Sequence, residues 1–245
     1  LFRVLEGVAV GVCVPAVSAL VLGTGDEASF TRRHGVVLGI GGAGMVMGPL
    51  VGLLVGRDSV RAAMIAIAIV TALAALCAPR IERAEVAIDD DAFSAQALLR
   101  YAASPAFMLL VLPLAFGKLA FGVLQPLIPL HAARTGMSDT MVAMLFVMTG
   151  VLFAVTQPVV GLLRARMNAR DIALGCAVLA ALSLGAIAGY SGPVGFSTCY
   201  LVYVVFGSML FAANSGLVGE THHEAERDHG KVFGAMHTVT DAGML

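Results

Sequence analysis

Charge is what this sequence has least of. Asp, Glu, Lys and Arg together make up 13% of its 245 residues, about half the share of roughly 25% found in soluble domains. With 59% apolar residues and a mean hydropathy of +0.92, that shortage excludes a water-soluble fold and points to an integral membrane protein. The net charge is −1 and no basic stripe runs along the chain, so no nucleic-acid partner is expected. The four cysteines, Cys13, Cys77, Cys176 and Cys199, are widely spaced within apolar runs. They read as small core residues, neither a disulfide framework nor a zinc site. His222-His223-Glu224 has no cysteine or second spaced histidine pair beside it, so no metal site is expected. The strand-length alternation of a membrane barrel is also missing. Long uncharged runs take its place, and in hydrocarbon such runs must be helices, because only a helix pairs every backbone polar group within its own segment.

What is present is a series of apolar runs. Spans are expected at 1–22, 35–56, 59–78, 105–130, 138–163, 171–190 and 196–219, with an eighth starting near residue 232. The most polar segment contains Asp89-Asp90-Asp91 and reads as a linker, with a short surface helix near 92–101. The expected organisation is therefore a three-span part of an N-terminal helical half over 1–78 and a cytoplasmic linker over 79–104. Residues 105–245 form part of a C-terminal half, with four spans and the start of a fifth. No cleavable signal peptide is visible. The chain starts at Leu1 and stops at Leu245 inside an apolar run, and the bundle is read as truncated at both ends.

Basic residues fix the expected orientation. Arg32, Arg33, Arg80, Arg83, Arg100, Arg164, Arg166, Arg170, Arg227 and Lys231 fall on one side of the alternating spans, and only Arg57, Arg61 and Arg134 on the other. The richer side is cytoplasmic by the positive-inside rule.

The run 35–56 organises the rest. Gly44, Gly48, Gly52 and Gly56 recur every fourth residue, which lines them up on one helix face. Rows of small residues let two helix backbones approach in lipid, and Pro49 removes a backbone donor and favours a bend. The spacing of Gly35, Gly44, Gly48-Pro49 and Gly52 resembles the antiporter motif, motif C, in the fifth helix of major facilitator superfamily exporters. Leu53 stands where that family usually has another glycine. The resemblance implies an all-α bundle of membrane helices of that type, of which this chain would cover the fourth to the start of the eleventh of twelve.

Two further motifs resemble the same family. Arg3-x-x-Glu6-Gly7 is similar to motif B, whose arginine is implicated in proton transfer. Glu6 replaces the usual glutamine, and its i+3 spacing from Arg3 suits an ion pair on one face. Gly161, Arg166 and Arg170 resemble a degenerate motif A, a cytoplasmic latch whose acid is replaced by Ala165 and whose later glycine is Asn168.

Ionisable and polar residues within spans are the other candidates, because charge at membrane depth is costly. Asp241, in TVTDAGML, joins Arg3 and Glu6 as a proton-coupling candidate. Lys118, flanked by Pro113 and Gln125-Pro126, is a candidate for the substrate cavity, since broken helices line cavities in transporters. Gln125, Gln157 and Asn214 are further cavity candidates, with interhelical hydrogen bonding as their plainer role. Met141, Met144 and Met148 with Phe107, Phe116, Phe121 and Phe146 offer adaptable apolar surface. No Ser/His dyad, His-Glu pair or paired aspartates lies within the spans, so neither an enzyme nor a cofactor is expected.

The expected function is secondary active transport. The resemblance implies proton-coupled export of a small apolar or amphipathic solute by alternating access, from a multi-pass monomer in the inner (plasma) membrane. Its partners would be the solute, protons and lipid. Proton-coupled uptake of a metabolite and a non-transporting receptor or scaffold are the alternatives.

Overall fold

The computed structural model describes residues 27–55, 61–62, 65, 68–69, 103–190, 192–221 and 229–242. Among the described residues the fold is all helix: α1 (Glu27–Val55), α2 (Pro105–Thr135), α3 (Asp139–Leu163), α4 (Ala169–Gly189), α5 (Pro193–Thr221) and α6 (His229–Ala242). α2 to α5 are each long and apolar enough to cross a membrane, and α1 carries the uncharged run that begins at Gly35.

Local chemistry sets the helix ends. Pro105 opens α2, where its missing N–H is not needed, and the Ser104 hydroxyl accepts the Phe107 N–H at 3.5 Å. α2 was expected to stop near residue 130, yet it runs through Pro126 and Pro129 to Thr135. Each proline removes one hydrogen bond, and the chain leaves the helix only at Gly136, whose φ of 71° is left-handed. Ser138 then caps α3, accepting the Met141 N–H at 3.3 Å. The gap expected between the spans 171–190 and 196–219 is shorter, because Pro193 already begins α5. α1 and α6 start at Glu27 and His229, before the expected 35 and 232. Charge marks where hydrocarbon ends, and a helix continues beyond that point into the polar layer.

α1 and α3 run antiparallel and touch backbone to backbone. A Cβ added to Gly35 would lie 2.7 Å from the Gln157 carbonyl oxygen, one on Gly39 2.8 Å from the Ala154 carbonyl oxygen, and one on Gly42 2.6 Å from the Ala154 nitrogen. From the other helix, a Cβ on Gly150 would lie 2.8 Å from the Val46 nitrogen. At these four positions a side chain would collide with the facing helix backbone, which is why glycine occupies them.

The remaining packing follows from short polar contacts, because apolar burial does not drive helices together inside lipid. The Tyr203 hydroxyl donates to the Gly117 carbonyl at 2.8 Å and the Asn214 amide donates to the Leu110 carbonyl at 3.2 Å, so α5 and α2 are antiparallel. The Thr149 and Tyr200 hydroxyls meet at 3.0 Å, and the Thr156 and Ser208 hydroxyls bond one turn or two further on, so α3 and α5 are parallel. Leu109, Phe116, Leu119, Val123, Leu127 and Leu130 form an exposed apolar face on α2, as a lipid-facing surface requires.

Candidate functional site

Midway along α2, α3 and α5 leave a cavity of about 200 Å³ between them, with Met45 of α1 at one wall. Its walls are apolar and aromatic, with Phe121, Phe153 and Phe211 among them, and glycines 117 and 207 on facing helices hold it open. The polar groups that reach it are the Lys118 ammonium and the Tyr203 and Ser208 hydroxyls. Two of those are already engaged, Tyr203 with Gly117 and Ser208 with Thr156.

Lys118 donates to the Asp241 carboxylate, joining α2 to α6. The ammonium also lies 5.6 Å from the centre of the Phe211 ring, within the range in which an aromatic face attracts a cation. The Lys118 side chain is 21% exposed and that of Asp241 41%, so the pair is reachable. Chemically, this is an exchangeable charge pair at the edge of an apolar chamber.

The Major Facilitator Superfamily model matches residues 1–245. The chain belongs to that superfamily. No curated protein and no solved structure matches it. As a member, it is a multi-pass membrane protein of a secondary-transporter family.

The sequence candidates separate into distinct places. Lys118 lines the cavity, and the structure brings it to Asp241, a contact that the sequence did not disclose. Asn214 is buried and tied to Leu110. Gln157 is fully buried outside the cavity lining, with neither amide atom hydrogen-bonded among the described residues. Gln125 is exposed, one turn beyond Phe121 on the same side of α2 but outside the cavity lining. Of the apolar candidates, Phe121 lines the cavity, Phe107 packs in the core beside α6, Phe146 packs between α3 and its neighbours, and Phe116, Met141, Met144 and Met148 are exposed. Arg3 and Glu6 lie outside the described residues.

The glycine motif divides in two. Gly35 lies in the α1–α3 seam, whereas Gly44 and Gly48 are exposed and a Cβ on either would meet nothing within 4 Å among the described residues. At about 100° per residue, Gly44 lies roughly 200° round the helix from Gly42. The seam is carried by Gly35, Gly39 and Gly42, and the Gly44–Gly48 row, with Pro49 beside it, forms a second, open face. Gly52 continues α1 beyond it. In the loop after α3, Arg166 and Arg170 are exposed and Gly161 half-buried, while Asn168 donates to Asp171 at 3.4 Å.

Two buried histidines escaped the sequence reading. His34 is 2% exposed and His237 5%. His237 and Asp241 stand at i and i+4 on α6, a spacing visible in the sequence. His34 follows Arg32-Arg33 and reads there as the edge of a basic loop.

Proposed function

We propose that this protein is a proton-coupled antiporter that exports a small apolar or amphipathic solute by alternating access. The Lys118–Asp241 pair at the edge of an aromatic cavity carries the reading. A proton arriving at Asp241 cancels its charge and leaves the Lys118 ammonium without its counter-ion. An uncompensated charge at the centre of a membrane helix costs about 2.5–3.5 kcal/mol on insertion scales. A difference of that order shifts a two-state equilibrium by about a hundredfold, enough to select which side of the cavity opens.

Export, rather than uptake, rests on the likeness of Gly35, Gly44, Gly48, Pro49 and Gly52 to motif C. The open Gly44–Gly48 face suits close approach by a further helix, and a close-packed seam of that kind can switch between two packings. In this reading the chain spans the fourth to the start of the eleventh helix of the superfamily, and the end bearing Arg164, Arg166 and Arg170 is cytoplasmic in a plasma membrane. Arg3, by its likeness to the motif B arginine, and Glu6, a titratable group where that motif has glutamine, supply a second proton-linked pair.

Everted vesicles with an acid interior test the direction. Adding amphipathic dyes one at a time to vesicles carrying the protein should release protons and restore acridine orange fluorescence. Solute entry that instead consumes a gradient of the opposite sense would replace export by uptake. No proton movement with any dye that the protein binds would remove the coupling.

A further inference from the structure

One face of α6 runs from the basic end of the bundle to the cavity. Phe233, His237 and Asp241 are spaced by four, so they stack on that face, each roughly 6 Å further along the axis. At one end of the series the His34 ring of α1 meets Phe233, with centroids 6.0 Å apart and the planes tilted by 35°. At the other end Asp241 holds Lys118 of α2.

His237 stands between them, 5% exposed, and its Nε2 makes no hydrogen bond among the described residues. Three charged or titratable groups act on it electrostatically: Lys118 from α2, Asp241 from α6 itself, and His34 from α1. Arg33, half-buried, adjoins His34 on the same helix. A buried imidazole with an open nitrogen, one turn from a carboxylate and one turn from the ring that a second imidazole meets, is built to take a proton and pass it on.

We infer that His237 is a proton-binding station between the Asp241–Lys118 pair and His34, so that protons travel between the cavity and the basic end of the bundle along this face. The step is a plain transfer: a proton leaves the His34 imidazolium, binds Nε2 of His237, and is handed to an Asp241 oxygen, freeing Lys118. Nothing is oxidised or reduced. The inference rests on the proposed proton coupling at Asp241 and adds the route by which the proton arrives.

The test follows the carboxyl band directly and requires no transported solute. The reconstituted protein is taken by rapid mixing from alkaline to acid pH while the infrared C=O stretch of protonated carboxylic acid is recorded. A component that Asp241→Asn removes belongs to Asp241. In His237→Gln and in His34→Gln that component should reach its full amplitude more slowly, by about a hundredfold for His237, the lower end of what a positioned proton-transfer group contributes.

A rise at the unaltered rate in both variants overturns the relay. So does a changed amplitude at unchanged rate, which would make His237 only a neighbouring charge. If no component disappears in Asp241→Asn, Asp241 does not titrate and the proposed coupling itself fails, a result separable from failure of the relay alone. His34 lies on another helix from Asp241, so its variant reads the same route even where His237→Gln does not fold.

Discussion

Lys118 and Asp241, 123 residues apart in the chain, meet as an ion pair beside the cavity. The contact fixes α6 against α2, and it places the only strong charges of the cavity region, among the described residues, where a proton can cancel one of them. Removing one partner strands the other. Asp241→Asn should therefore destabilise the protein by about 2 kcal/mol, less than for a fully buried pair because both side chains are partly exposed. The double variant Lys118→Gln with Asp241→Asn should recover most of that loss. Thermal unfolding of the purified protein in one detergent checks it, and equal losses in single and double variants would deny the coupling between the two charges.

The two glycine faces of α1 should respond differently to a larger side chain. Gly42→Leu places atoms within 2.6 Å of the Ala154 backbone nitrogen, so α1 and α3 must separate, at a cost of about 1–3 kcal/mol or more. A Cβ at Gly48 meets nothing within 4 Å among the described residues, so Gly48→Leu should leave the melting temperature unchanged while abolishing transport. Unfolding curves paired with vesicle transport separate the two, and full transport by Gly48→Leu would refute a packing role for the open face.

Tyr203 joins the cavity wall to the α2 backbone through one hydrogen bond. Tyr203→Phe removes that bond and keeps the ring. The expected loss is about 0.6 kcal/mol, the usual worth of an interhelical bond in membranes. The Gly117 carbonyl lies inside α2 and keeps its helical partner, so a much larger loss in chemical unfolding would contradict this small role for the bond.

Gln125 and Asn214 provide a contrast between exposure and glue. Gln125→Ala should change neither stability nor transport, since the side chain lies outside the cavity lining. Asn214→Ala should lower stability by about 1 kcal/mol with the solute preference unchanged. A shift in solute preference, read as the rank order of dyes transported, would return Asn214 to the cavity.

Much of the fold was legible because hydrocarbon imposes a simple rule. Uncharged runs become helices, and 138–163 emerges almost unaltered as α3. The ends were less legible, since polar turns extend α1 and α6 and Gly136 rather than Pro126 or Pro129 stops α2. Within the site, Lys118 and Asp241 stood out separately, because charge in an apolar run is rare. Their pairing did not, because a contact across 123 residues depends on how α2 and α6 pack. Glycine spacing showed the row at 44 and 48 and passed over Gly39 and Gly42, whose i, i+4, i+7 pattern from Gly35 makes the seam. His34 was masked by the arginines before it, and only burial against Phe233 distinguishes it from a loop residue.

Proton coupling at Asp241 is most directly tested by comparing two modes of transport in the same proteoliposomes. Asp241→Asn should retain solute counterflow, which requires no net proton movement, and lose accumulation driven by an imposed pH gradient. Gradient-driven accumulation at the unmutated level in Asp241→Asn would contradict the assignment of the Lys118–Asp241 pair as the site where the proton acts.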